Sequence, residues 1–210
     1  MEIIPFTYDT NDELLSNTYI FIDGNKDAVV VDPSSDYDGV INYIKNHNLN
    51  LKAILLTHAH FDHIGGLKRL YNVYPVDVYA GYEELDSFVD PSKNLSQYFL
   101  AKGISINIDI KPLGDNEVLK ILDEDIIVIY TPYHTIGSVC YYFTKSKVLF
   151  SGDSLFHYAF GRSDLPTSVP SKQNESIAKL MKLDDEVKVY PGHGRFTSIR
   201  DERAFINRHR

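Results

Sequence analysis

Leu55-Leu56-Thr57-His58-Ala59-His60-Phe61-Asp62-His63 is the segment that most restricts what this chain can fold into, because an apolar run leads directly into three imidazoles and a carboxylate. Polar groups placed at the edge of a core need partners, since each one buried unpaired costs about 1–3 kcal/mol. The run Ala53–Leu56 reads as a strand, and a strand end is a rigid platform. If the chain stays extended through His58 and His60, the period of two sets both rings on one face, ready to share a cation. Asp62 and His63 fall where a turn breaks that alternation, so they can serve a neighbouring position, as a second cation would require.

The remaining pattern tells what kind of framework carries this cluster. Thr18–Ile22 and Ala28–Val31 read as a hairpin around Asp23-Gly24-Asn25. Helical spacing of Val40, Ile41 and Ile44 predicts a helix over Tyr37–Asn46 after the stop at Asp32-Pro33-Ser34. A second helix, Leu67–Tyr71, follows Gly65-Gly66, and Val76–Tyr79 returns as a strand. Strands are then expected at Ile104–Ile110, Glu117–Leu122, Ile126–Tyr130, Val139–Phe143 and Lys147–Phe150. A helix over Asn174–Met181, a strand over Val187–Tyr190 and a closing helix over Ser198–Asn207 complete the chain. Helices that twice flank strand-rich stretches imply an α/β (α+β) fold of packed sheets with helices outside. No repeat or linker divides residues 1–210, so one domain is expected.

Further His and Asp residues occupy the same kind of position as the first cluster. His134 follows Ile126–Tyr130, Asp153 follows Val148–Phe150, and His193 follows Val187–Tyr190. A lone His or Asp at such a place caps a turn, but three at successive strand ends point to one shared site.

Composition narrows the chemistry. Cys140 is the only cysteine, so neither an intrachain disulfide nor a thiolate zinc cluster can form, and any metal must rest on His and carboxylates. With 21 basic and 29 acidic residues the formal charge is −8, which repels a nucleic-acid backbone. The arginines between Arg195 and Arg210 are interrupted by Asp201 and Glu202 and read as a solvated helix face. There is no basic leader with an apolar stretch and no run of about 20 apolar residues, so a cytoplasmic protein is expected and no membrane partner.

Taken together, Thr57-His58-Ala59-His60-Phe61-Asp62-His63, His134-Thr135-Ile136-Gly137-Ser138, Ser151-Gly152-Asp153-Ser154-Leu155-Phe156 and Pro191-Gly192-His193-Gly194 resemble the ordered signature of the metallo-β-lactamase superfamily, in particular its glyoxalase II-like (hydroxyacylglutathione hydrolase-like) branch. Gly161-Arg162-Ser163-Asp164-Leu165-Pro166 is similar to that branch too. The resemblance implies a four-layer αββα sandwich of two mixed sheets with helices on the outer faces. It implies two divalent metal ions, zinc with iron or manganese as alternatives. His58, His60 and His134 would hold one, Asp62, His63 and His193 the other, and Asp153 would bridge them. Two such cations about 3.5–4 Å apart lower the pKa of a shared water towards ~7, giving a hydroxide nucleophile for a small thioester or ester. Asp62 and Asp153 are then the catalytic candidates. No Gly-x-Ser-x-Gly elbow competes for that role.

Other residues have narrower claims. Asp32, at the end of Val29–Val31, stands where a carboxylate can support a metal ligand from behind or cap a turn. Tyr133, His157, Tyr158, Phe160 and Arg162 are candidate walls of the substrate pocket, with Arg162 and Asp164 expected to pair. Cys140 reads as a small core residue, and His47 and His209 as surface residues. The sequence departs from the family at Tyr133, where Gly is common, and at Thr167-Ser168-Val169, which replaces a Gly-rich stretch. It also has only Ser198–Arg210 where full-length glyoxalase II enzymes carry a helical extension that helps bind glutathione. Rival readings are a persulfide dioxygenase with a single iron held by His58, His134 and Asp153, a lactonase, and a binding module in which a closed metal site is structural.

Overall fold

The computed structural model describes residues 1–6, 16–34 and 38–209. Strand β1 (Glu2–Phe6) edges a first sheet and pairs antiparallel with β2 (Thr18–Ile22), which turns into β3 (Asp27–Val31) as the hairpin pattern predicts. Asp23 fixes that turn through Oδ1, which accepts the N–H groups of Asn25 and Asp27 at 2.7 and 3.0 Å. Helix α1 (Gly39–Asn46) then crosses to β4 (Asn50–Leu56), parallel to β3. It buries Val40 and Ile44 as their spacing requires; Tyr37, at the start of the expected helix, lies outside the described residues. Short α2 (Phe61–Ile64) and α3 (Leu67–Val73) lead to β5 (Asp77–Gly81). After α4 (Leu85–Val89) and α5 (Ser96–Phe99), β6 (Lys111–Leu113) completes a sheet ordered β1 to β6.

The second sheet contains β7 (Val118–Leu119), β8 (Ile126–Tyr130), β9 (Val139–Phe143), β10 (Val148–Gly152), β11 (Lys188–Pro191) and β12 (Thr197–Ser198), in the order β12-β11-β10-β9-β8-β7. Helix α6 (Gln173–Leu180) connects β10 to β11, which run parallel, and α7 (Ile199–His209) follows β12.

Side-chain alternation along the strands creates the layers. Tyr19, Phe21, Val29, Val31, Ala53 and Leu55 face inward and meet Val128, Tyr141, Phe143 and Phe150 of the second sheet. Their alternates Ile20, Ile22, Val30, Ile54 and Leu56 face outward against α1 and α3. On the other side Ile129, Cys140, Leu149 and Val189 pack against Ile177 and Leu180 of α6 and Ile199 of α7. The result is the expected helix–sheet–sheet–helix stack. Each large apolar side chain buried in it contributes about 1.5–3 kcal/mol.

Two expected strands are corrected. Ile104–Ile110 alternates like a strand but lies outside both sheets. Its isoleucines pack onto the outer core of the first sheet, while Ile106 N–H binds the Phe88 carbonyl at 2.8 Å rather than a neighbouring strand. Glu117–Leu122 contributes only Val118 and Leu119 to the sheet, because Asp125 and its neighbours turn back at once into β8. Among the described residues no helix is long and apolar enough to cross a membrane.

Candidate metal centre

Both sheets deliver chain ends to one edge of the sandwich. At the end of β4 the backbone stays extended as far as His60 (φ −62, ψ 144), so His58 and His60 point the same way, 3.1 Å apart from Nε2 to Nδ1. His134, from the loop between β8 and β9, brings its Nε2 to 3.0 Å from the same His60 nitrogen. Helix α2 then redirects the chain, and Asp62 Oδ2 meets His193 Nε2 at 3.1 Å and His63 Nε2 at 3.5 Å. Asp153, after β10, lies between the two groups: one oxygen is 3.4 Å from His134 Nε2 and 3.6 Å from His193 Nε2, the other 3.3 Å from His63 Nε2. Convergent sets of metal-ligand type are His58 with His60 and His134, His58 with His63 and Asp153, and Asp62 with His63 and His193.

Partners behind the rings decide which nitrogen faces inward. His63 Nδ1 donates to Asp32 Oδ2 at 2.9 Å, and His134 Nδ1 donates to the Arg162 carbonyl at 2.8 Å. His58 Nδ1 donates to Thr57 Oγ1 at 3.1 Å, and that hydroxyl donates onward to Asp32 Oδ2 at 2.6 Å. Such outer hydrogen bonds fix tautomer and ring orientation in metal sites. Asp32 thus stands where the sequence suggested, with φ +48, a left-handed backbone that Asp tolerates better than most residues.

The charge pattern suits a cation. Burial pushes His58 and His60 down, His60 to about 3, so both rings are neutral. Burial would push Asp153 up, but His193 and His63 beside it hold its carboxyl well below the usual range. Burial likewise opposes protonation of His63, and Asp62 and Asp153 outweigh it. His63 Nε2 and Asp153 Oδ1 are buried and, though 3.3 Å apart, lack the alignment of a hydrogen bond. The neutral His58 and His60 rings, the ionised carboxylates and orphaned buried atoms pointing at one another are a donor set that divalent metals take.

The candidate pocket residues separate. His157 and Tyr158 join Phe156, His193, Gly194 and Arg195 around a cavity of about 370 Å³ beside the cluster. Tyr133 does not line it. Its ring is fully buried with Ile129, Cys140 and Leu155, and its hydroxyl donates to the Ser154 carbonyl. Because His134 points into the site, the preceding side chain points away, into the core. Phe160 instead lines a separate cavity with Gln173, Ile177 and Phe205. The Arg162 side chain is exposed and pairs with Asp164 at 2.7 and 2.9 Å, so its contribution to the centre is its carbonyl. The departure at Thr167-Ser168-Val169 packs behind His134: Ser168 Oγ donates to the His134 carbonyl at 2.7 Å, and Val169 N–H to that of Tyr133 at 2.9 Å.

Sequence reasoning missed Asn17, Glu84 and Arg195. Asn17 ties the 191–194 turn to β2, its Nδ2 donating to the carbonyls of Pro191 and Gly194 at 3.0 and 2.9 Å. Neither Asn17 nor Glu84 lies near a histidine in sequence, so no local signal marks them.

Two mixed sheets clasping a His/Asp cluster at their shared edge define a metallo-hydrolase framework. The sequence matches the Metallo-beta-lactamase superfamily over residues 11–193. Hydroxyacylglutathione hydrolase GloC of Haemophilus influenzae is 32% identical, over 99% of this chain and 98% of that protein. The crystal structure of BLEG-1 B3 metallo-beta-lactamase superposes with a TM-score of 0.89 at 34% identity, over 97% of both chains. TTHA1623 in a di-iron-bound form gives 0.83 at 29% identity, over 95% of this chain and 96% of its own. The chain belongs to the metallo-β-lactamase superfamily, and it has glyoxalase II-like relatives over nearly its whole length.

Proposed function

We propose that this protein is a hydrolase with a binuclear metal centre that cleaves a small thioester or ester of the hydroxyacyl-thiol type. The observation that carries this reading is the place of Asp153, whose two oxygens face His134 on one side and His63 on the other. A carboxylate between two ligand sets fits a metal pair. His58, His60 and His134 would hold one cation, Asp62, His63 and His193 the second, with Asp153 shared; zinc is the proposed metal, and iron or manganese suit the same donors. The names of GloC and of the di-iron form of TTHA1623 support the substrate class and the pair.

Two cations held there would supply a water of lowered pKa and positive charge opposite a carbonyl oxygen. The protein's own groups do the rest. Asp62 is held ionised: burial raises its pKa, but His63 and His193 more than compensate. Its free oxygen is the acceptor for the proton of an attacking water. His193, with its side chain 35% exposed, stands between this carboxylate and the adjoining cavity. Phe156 and Tyr158 give that cavity apolar walls for an acyl or thiol chain, and Arg195 gives it a cation.

Elemental analysis of untagged protein, followed by thioester hydrolysis on the same sample, tests the reading. Near two metals per chain with activity lost on chelation supports it. A single iron with oxygen-dependent persulfide consumption replaces it with the dioxygenase, and metal loss without loss of activity replaces it with a structural site.

A further inference from the structure

Glu84 is a buried carboxylate that the proposed reaction does not use. It ends the single turn Tyr82–Glu84 after β5 and is 1% exposed. Oε1 accepts the Ala59 N–H at 3.0 Å, while Oε2 accepts the Thr135 hydroxyl at 2.8 Å and the Gly137 N–H at 2.9 Å. Ala59 lies between His58 and His60, and Thr135 follows His134. One carboxylate therefore grips both loops that supply the three-nitrogen set, one from each sheet.

Three features argue that this grip sets geometry rather than filling space. No Lys or Arg neutralises Glu84 among the described ion pairs, and burying an unpaired charge is costly unless directed donors satisfy it. The 135–138 loop already closes on itself, Thr135 N–H reaching Ser138 Oγ at 3.1 Å, so what Glu84 adds is the link to the other sheet. Residue 137 also has to be glycine for the approach, since a Cβ there would lie 2.6 Å from the Glu84 side chain.

We propose that Glu84 is the positioning residue of the three-histidine half, holding the 58–60 and 134–137 loops at the separation that lets His58, His60 and His134 share one cation. This rests on the reading of the cluster as a metal centre. It also separates two kinds of support: Asp32 reaches His63 directly and His58 through Thr57 Oγ1, whereas Glu84 grips Ala59, Thr135 and Gly137 beside the histidines.

Cobalt(II) added to metal-free protein, followed by visible absorption and by cobalt content, separates the possibilities. Wild type is compared with E84Q, T135V, T135S and D32N, each checked for folding by far-ultraviolet circular dichroism. The expected result is that E84Q and T135V lower cobalt affinity about 10–100-fold at one of two steps and change the visible bands. T135S, which keeps the hydroxyl, restores them, whereas D32N, whose carboxylate holds His63 and, through Thr57, His58, weakens both steps. If E84Q does not fold, T135V against T135S makes the same comparison. Affinity within about twofold of wild type and superimposable bands in T135V and every folded Glu84 variant, whatever the thermal stability, would overturn the proposal. A wild type that takes up no cobalt would instead sink the metal-centre reading beneath it.

Discussion

Asp32 Oδ2 accepts a hydrogen bond from His63 Nδ1 at 2.9 Å while its other oxygen accepts the Thr57 N–H at 2.7 Å. The strand end that launches the histidine motif and the ring of its last histidine are thus held by one carboxylate. Asp32→Asn keeps the shape but puts an amide where an acceptor is needed. Metal affinity at the Asp62–His63–His193 set should fall about 10–100-fold with the fold intact, measured by competition with a chromophoric chelator. Unchanged affinity would mean that His63 is oriented by packing alone.

Asn17→Ala should cost stability as well as metal. The substitution removes the Nδ2 donor from the carbonyls of Pro191, which keeps the Tyr19 hydroxyl, and Gly194, and losing two such bonds costs about 1–3 kcal/mol. In a chain of this size that lowers Tm by roughly 2–10 °C. Calorimetry on metal-free protein isolates this term, and a shift under a degree would refute it.

The pH dependence of Glu84 has a definite sign. Burial pushes its carboxyl up, and the N–H and hydroxyl donors only partly offset that. A folded pKa above the unfolded one gives a stability contribution that is full below the unfolded value and disappears as pH rises through the folded one. The advantage of metal-free wild type over E84Q should therefore shrink as pH rises above the ordinary carboxylate range. Urea unfolding across that rise reads it directly, and an advantage that grows with pH would show that the donors, not burial, dominate.

Arg195 touches His157 and has no carboxylate partner among the described ion pairs, so its cation faces the cavity beside His193. For thioesters carrying a carboxylate, Arg195→Gln should raise KM about tenfold, near 1.4 kcal/mol, and leave kcat alone. Neutral thioesters should be unaffected. Equal losses on both kinds of substrate would place Arg195 outside recognition.

Cys140 is fully buried, and burial pushes its thiol up to about 11. It should resist iodoacetamide in the folded protein and react only in denaturant; modification under native conditions would refute its core position.

The convergence of the His/Asp cluster was legible because its residues are placed locally. Three imidazoles and a carboxylate follow an apolar run, and later His and Asp residues repeat the same strand-end position. The layers were legible for a related reason: alternation of Tyr19, Phe21 and Ile20, Ile22 is dictated by the strand period. What sequence could not show depends on tertiary choice. Tyr133 beside His134 reads as a pocket wall until the direction of its neighbour is known. Ile104–Ile110 has the strand period and packs its isoleucines on the core, but a period does not say whether a backbone finds a partner strand. Asn17 and Glu84 act through main-chain groups far off in sequence, which leaves no motif.

His58, His60, Asp62 and His63 hang from one sheet, and His134, Asp153 and His193 from the other. Metal ions at that seam would rivet the two halves of the sandwich, because ions that bind only the folded state stabilise it by mass action, about 2.7 kcal/mol at a hundredfold excess over Kd. Starved of metal, the protein should open first along this edge, exchanging the amides around Thr57 and Val139, where the two sheets share a hydrogen bond of 2.9 Å. Metal supply would then govern not only turnover but how long each molecule survives proteolysis.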